Sequence, residues 1–303
     1  MSQPKPLTSH VSYLPGAVNV GYVTGPSGRA FLVDTGLGER TARQVLRLLE
    51  QRGQRLEAIL ITHTHGDHVG GNALLAEQTG AVVYAPAMEA VVLEIPLWGA
   101  ASMFCGAYPI AELRGPRHFP PSCPASHRLT AGTLQVAGLD VEVVPLPGHS
   151  LDHKGYLVDG VFFVGDALIP QEAIDAGLIA YTHNVADCLA SLDMILDAVT
   201  RRACRWIVPG HGPAVADALP LVMLNRLRVL QVLDAICAAV AREPLRAAEV
   251  LAHVCRHFGI ELRIANNYYQ MVTTIHAGLS YLHERGRVGF ALRDNELQWF
   301  GNT

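Results

Sequence analysis

His63-Thr64-His65-Gly66-Asp67-His68 puts three imidazoles and a carboxylate within six residues, directly after the short apolar run 58–61. That run reads as a buried strand that delivers the motif to its end. Histidine is the commonest metal ligand because neutral imidazole binds well at pH 7, and a nearby carboxylate adds the negative charge a cation needs. Buried or surface histidine clusters also occur without metal. The density and order of ligand types in HxHxDH nevertheless favour a cation site.

Toward the C-terminus three further residues extend the pattern. His149 lies in Pro147-Gly148-His149-Ser150, Asp166 in Gly165-Asp166-Ala167, and His211 in Pro209-Gly210-His211-Gly212. Each follows an expected strand and sits at a glycine-supported turn, where rigid β-structure can aim a side chain into a cleft. Alone, such a residue would more often cap a turn. Three of them in order behind HxHxDH point to a single shared site.

The rest of the chain supplies the frame. Runs 18–23 and 30–34 read as strands separated by Gly25-Pro26-Ser27-Gly28 and closed by Asp34-Thr35-Gly36. Over 40–52, Val45, Leu46, Leu48 and Leu49 recur at helical spacing, and Gly53 ends the helix. A helix at about 71–78, a strand at 81–84 and a helix start near Pro86 continue the alternation. Strands follow at 133–136, 141–145, 155–158 and 161–164, then a helix at 185–199 and a strand at 206–208. The rhythm fails at about 94–127, which holds six prolines. An irregular stretch of that length suggests a lid or binding loop, or a disordered segment. From about Ala216 the chain turns helical, through Cys237, over 245–258 and over 267–285. It ends in two strands, 288–292 and 297–300, around Asp294-Asn295. Three helices and a hairpin are the order of a winged helix. The expected fold class is α/β, with a first domain at 1–215 and a winged-helix-like domain at 216–303.

With HxHxDH, His149, Asp166 and His211 in hand, the chain resembles the metallo-β-lactamase superfamily over about residues 11–213. The resemblance implies an αββα sandwich with two divalent metal ions at one edge of its sheets. It implies one metal on His63, His65 and His149, a second on Asp67, His68 and His211, and Asp166 as the bridge. Asp34 would support a ligating ring from behind. Two cations close together lower the pKa of a bridging water, giving hydroxide at neutral pH, and polarise a carbonyl or phosphoryl oxygen. Asp67 is the candidate to orient that nucleophile or take its proton. Zinc is the default ion, and iron or manganese suits the same donors.

Departures narrow the branch. The common secreted zinc β-lactamases carry Cys where Asp166 stands, and the di-iron oxygen reductases carry Glu in place of His65. Acyl-homoserine lactonases have Tyr where Ile169 stands, and the large nuclease insertion has no room here. What remains is similar to the glyoxalase II-like hydrolases and to the β-lactamase-like protein 2 group, which carries a winged-helix tail. The expected substrate is an ester, thioester or lactone. A phosphodiesterase or single-strand ribonuclease at the same metals is one alternative, and a winged-helix binding or regulatory protein is another.

Charge argues against polyanions as partners. The formal net charge is −4, and from Leu221 onward nine Arg face seven Asp or Glu, too even a balance for a nucleic-acid footprint. The tail could equally form a homodimer contact or a wall over the site. Asn266, Asn267, Tyr268, Tyr269 and Gln270 read as a helix cap with tyrosine packing in preference to a wall reaching substrate. On the insertion, Trp98, Met103, Phe104, Tyr108 and Phe119 would suit an acyl or aromatic substrate, while Arg114, Arg117 and His118 form a basic cluster. Anchoring the loop is an equal reading of the aromatic residues. His153 and Lys154 are placed to contact substrate, with a solvated lysine the ordinary outcome, and His183 reads as a loop residue near the cleft or on the surface. The six cysteines are scattered and read as reduced thiols, although Cys105 and Cys123 share one loop region. Residues 1–8 do not resemble a leader, and no apolar run reaches the roughly 18 residues of a membrane span. The expectation is a cytoplasmic enzyme of a small-molecule substrate.

Overall fold

A computed structural model describes residues 3–201 and 203–302, so the first two residues of the segment read as lacking a leader lie outside it. Strands β1 (Lys5–Pro6), β2 (Val11–Leu14), β3 (Val20–Thr24) and β4 (Arg29–Val33) lead into helix α1 (Glu39–Arg52) and strand β5 (Arg55–Leu60). Short helices α2 (Gly66–Val69) and α3 (Asn72–Thr79), strand β6 (Val82–Pro86), helices α4 (Ala90–Glu94) and α5 (Leu97–Met103), and strand β7 (His127–Leu129) follow. β8 (Gly132–Val136), β9 (Leu139–Pro145), β10 (Lys154–Val158) and β11 (Val161–Gly165) form a meander before α6 (Gln171–Asp175), α7 (Val185–Thr200) and β12 (Trp206–Pro209). Helices α8 (Leu219–Val240), α9 (Ala247–His257) and α10 (Ala265–Glu284) and the hairpin β13 (Val288–Arg293) and β14 (Glu296–Gly301) complete the chain.

The first sheet orders its seven strands β1 through β7 in sequence, and the second runs β12-β11-β10-β9-β8. The two face each other across a dry core that includes Val23, Phe31 and Leu60 of one sheet and Val143, Tyr156 and Phe163 of the other. Helices cover the outer faces, as α/β layering requires. α1 turns Ala42, Val45, Leu48 and Leu49 inward and ends at Gly53, whose left-handed backbone lets its N–H reach Glu50 O at 3.1 Å. α7 buries Leu192 and Ile195 against the second sheet, next to Phe162 and Ile207. The result is the expected αββα sandwich.

The insertion corrects one expectation. It is not irregular throughout: it folds into α5 and a 3-10 turn at Ala111–Leu113, and it buries Ala100, Met103, Leu113 and Cys123. Local periodicity is weak there because the helix spans seven residues and contains Gly99, so packing decides it. The helix expected near Pro86 starts instead at Ala90, because β6 runs through Pro86 first.

The C-terminal segment forms three helices and an antiparallel hairpin around a separate core that includes Ile236, Val250, Val254, Ile275 and Leu279. Asp294 and Asn295 take positive φ at the hairpin turn. No flexible linker separates this unit from the sandwich: Leu221 and Val222 in the first turns of α8 pack into the core under α7. All six cysteines are free thiols. Among the described residues no helix is long and apolar enough to cross a membrane.

Candidate metal centre

The loops that leave the C-terminal ends of the strands converge at one edge of the sandwich. β5 delivers His63 and His65, α2 carries Asp67 and His68, and the loops after β9, β11 and β12 bring His149, Asp166 and His211. The structure brings all seven together. The donor atoms of His63, His65 and His149, of His63, His68 and Asp166, and of Asp67, His68 and His211 form three groups, each within 4.8 Å.

Ring nitrogens of His63 and His149 approach His65 Nδ1 at 3.0 and 3.1 Å. Asp166 sits between the histidines: its Oδ1 lies 3.3 Å from His68 Nε2, and its Oδ2 lies 3.6 Å from His149 Nε2 and 3.4 Å from His211 Nε2. His68 Nε2 and Asp166 Oδ1 are buried yet lack a geometrically sound hydrogen bond. Buried polar atoms left so in a native fold need a partner of another kind. Converging imidazoles around carboxylates fit divalent cations in chemistry and geometry.

The inward aim of each ring is set from behind. His68 Nδ1 pairs with Asp34 at 2.8 Å, and Asp34 also accepts from the Thr62 backbone N–H at 2.8 Å and hydroxyl at 2.7 Å. His149 Nδ1 meets Tyr181 O at 3.0 Å, and His211 Nδ1 meets Ala17 O at 2.6 Å. Each contact leaves the opposite nitrogen free for the site. The role implied for Asp34 thus has a concrete geometry.

Charge follows from these contacts. Burial, with the surrounding imidazoles, pushes His63 well below the usual histidine range. Burial and His149 bring His65 down to about 3. Burial alone would lower His68 too, but the Asp166 and Asp34 carboxylates outweigh it and hold its pKa well above the ordinary value. Asp166 is likewise buried, and the neighbouring His68 and His211 drive its carboxyl well below the usual carboxylate range. At neutral pH the site thus joins neutral His63, His65 and His149 rings and a protonated His68 to ionised carboxylates.

Several supports escape reading from the sequence. Glu89 is buried and ties the two ligand loops together, accepting from Thr64 N and Oγ1 at 3.0 Å each and from Ser150 Oγ and Asp152 N at 2.7 Å each. Asn19 holds the His211 loop through Pro209 O at 2.9 Å and Gly212 O at 2.6 Å. No motif flags either residue, since their partners come from distant parts of the chain. Gly210 marks a close approach: a Cβ there would stand 2.2 Å from Asp166 Oδ1 and 2.7 Å from His68 Cε1.

Three sequence-based readings change. His153 does not line the cleft to contact substrate; its fully buried ring stacks on His63 and accepts from Asp166 N at 3.2 Å. Lys154 is buried and paired with Asp152 at 2.5 Å, not solvated. His183 keeps one of its two expected places, the surface: its side chain is exposed and does not line the cleft, and its backbone N–H donates to Gly148 O at 2.8 Å. Asn267 and Gln270 form a wall of the cleft instead of a helix cap, because α10 begins two residues before Asn267 and Ile264 is the capping residue.

The centre opens into a cleft of about 700 Å³. Arg117 and His118 line it from the insertion, and Asn267, Gln270 and Thr274 line it from α10. The insertion's aromatic residues do not. Trp98, Tyr108 and Phe119 are exposed elsewhere, Met103 is buried, and Phe104 packs on Tyr269. Arg117 grips Asp67 through Nε at 3.2 Å and Nη2 at 2.9 Å, and His118 hydrogen-bonds Asn266. The insertion therefore pins α2 on one side and α10 on the other.

Comparison with known proteins agrees with this geometry. The family described as the Metallo-beta-lactamase superfamily matches residues 13–211. An atrochrysone carboxyl ACP thioesterase of Passalora fulva is 26% identical over 292 residues, covering 92% of this chain and 74% of that protein. A hydroxyacylglutathione hydrolase of Albidiferax ferrireducens is 34% identical over 182 residues, covering 58% of this chain and 56% of that enzyme. Against the hydroxyacylglutathione hydrolases the chain therefore spans about half their length. The crystal structure of a metallo-beta-lactamase family protein from Thermus thermophilus superposes with a TM-score of 0.70 at 27% identity, covering 100% of this chain and 98% of that one.

Proposed function

This chain belongs to the metallo-beta-lactamase superfamily as one of its hydrolases, and we propose that it is a binuclear metal-dependent enzyme that hydrolyses thioesters. The observation that carries the reading is Asp166, whose buried Oδ1 faces His68 and whose Oδ2 faces His149 and His211. A carboxylate so flanked is suited to bridging two ions.

In this proposal His63, His65 and His149 hold one ion, Asp67, His68 and His211 hold the second, and zinc is the default for both. When bound, such ions lower the pKa of water and polarise the carbonyl to be attacked. The chain's own residues do the rest. The neutral His63 and His65 rings offer lone pairs without first losing a proton. Against the burial that would raise it, His68 and then Arg117 keep the Asp67 carboxyl below its ordinary range. The Arg117 grip also fixes it, which suits it to ligation and orientation more than to taking a proton. Domain 1–215 carries this chemistry, and the winged-helix-like 216–303 closes the cleft with α10.

Thioesters are favoured over the neighbouring substrate classes by two supports. The relative aligned over most of this chain is a thioesterase. Among the described residues lining the cleft, Arg117 is the one Arg or Lys, and it is already paired with Asp67. A phosphodiester polyanion would want several unpaired cations.

The test joins elemental analysis with thiol release from acyl-thioesters. The wild type should hold about two metal ions per chain and liberate thiol, and Asp166→Ala and His65→Ala should lose both. Less than about half an ion per chain, unaltered in the variants and not restored by zinc, manganese or iron, would overturn the metal assignment. Full metal content without thiol release would overturn the substrate class.

A further inference from the structure

A second cavity adjoins the candidate metal centre. It lies where the core under α7 joins the core of the C-terminal helices, and its walls include Leu146, Ile169, Val185, Leu192, Val232 and Leu233. His149 and Asp166 line both this cavity and the cleft, so the two spaces adjoin at two of the candidate ligands. Ile179, Ala180, Tyr181 and Thr274 also line both and form the partition.

We propose that this cavity is the acyl-chain subsite, taking a short unbranched acyl group of about four carbons while the thiol portion lies in the open cleft. This rests on the thioesterase reading above. Three features support it. Protein interiors are close-packed, so apolar space left open beside a reactive centre is unusual. Apolar cavities stay dry and accept apolar guests. Most polar groups in its wall are already engaged, with Arg228 Nε and Asp166 Oδ1 the buried exceptions. Asn225 accepts from Ile169 N at 3.0 Å and donates to Ile169 O at 3.0 Å and Leu221 O at 2.9 Å, and Arg228 donates to the carbonyls of Ile174 and Leu178.

Size sets the chain length. The cavity offers about 40 Å³. On this measure a water-sized group needs roughly 10–15 Å³, so about three carbons beyond the carbonyl fill the space and an eight-carbon chain does not. The cleft differs in both size and chemistry. Its Asn267 and Gln270 suit the amides and hydroxyls of a thiol carrier.

The experiment is a chain-length series of acyl-thioesters, acetyl to octanoyl on one thiol, with the metal-loaded protein. Specificity, as kcat/KM, should rise roughly tenfold from acetyl to butyryl, since each buried methylene contributes about fourfold, and fall at octanoyl. Val232→Ala should move the optimum to a longer chain, and Val232→Phe should lower the butyryl-to-acetyl ratio. A flat profile, or an optimum that stays put in a Val232→Ala protein of normal thermal stability, would overturn the subsite. Butyramide, an unreactive neutral analogue of the acyl half, separates this failure from that of the thioesterase reading. Its saturation-transfer NMR signal should appear with wild type and disappear with Val232→Phe. If no thioester is cleaved but that pattern holds, the cavity assignment stands and the thioesterase reading falls. No butyramide signal with wild type would end the cavity assignment.

Discussion

Glu89 shows how much of the centre depends on a residue that never faces the cations. Its carboxylate accepts four hydrogen bonds, from the His63–His65 loop on one side and the His149 loop on the other. Glu89→Gln keeps the shape but replaces one acceptor oxygen by an NH2, leaving two buried donors facing a donor. That should cost about 2 kcal/mol, read as a lowered Tm in the metal-free protein. An unaltered Tm would show that the loops are held by other contacts. Gly210 is tested at the same scale. Gly210→Ala would press a methyl against Asp166 and His68, so activity should drop at least about tenfold, and metal content should fall with it. His68 gives the pH dependence. The metal-free protein holds a proton on that ring at pH 7, because the flanking carboxylates raise its pKa. A cation and a proton compete for the same nitrogen. Metal uptake at pH 7 should therefore release about one proton, and affinity should weaken as pH falls. Calorimetry in two buffers of different ionisation enthalpy measures the release, and no proton release would contradict the charge state described here.

At the scale of elements, the insertion links the centre to the C-terminal helices. The backbone carbonyl of Arg117 accepts from Gly66 N at 2.9 Å, its guanidinium holds Asp67, and the adjacent His118 bonds Asn266 at the start of α10. Arg117→Ala retains the backbone bond and removes the guanidinium, freeing Asp67 to shift. Expected is a fall in kcat of about tenfold with metal content retained, because a positioned group is lost while the donors remain. Loss of metal as well would make Arg117 necessary for assembling the site. The insertion was also the least legible element in the sequence. Its prolines signal turns correctly, but α5 owes its helix to the burial of Ala100 and Met103, and that burial depends on residues far away in the chain. The strands and α1 were legible because their apolar periodicity matches faces that are in fact buried.

At the scale of the whole molecule, α8 makes one body of two cores. Its first turns fill the space under α7 with Leu221 and Val222, and its later turns build the C-terminal core with Val232 and Ile236. Calorimetry of the metal-free chain should accordingly show one unfolding transition, and two well-separated transitions would mean that the cores melt independently. A chain ending at 215 would strip the apolar seam and should aggregate or unfold.

By itself the sequence determined the seven candidate ligands and the strand-end position of the site. These depend on local periodicity and on residue types whose chemistry is narrow. The αββα order came from the family resemblance those residues carry. Tertiary structure alone decided that His153 and Lys154 are buried, that α10 walls the cleft and that Glu89 and Asn19 hold the ligand loops. It also decided that an apolar cavity opens beside Asp166. Each of these depends on which distant segments meet, and a short stretch of sequence has no pattern that records its partners.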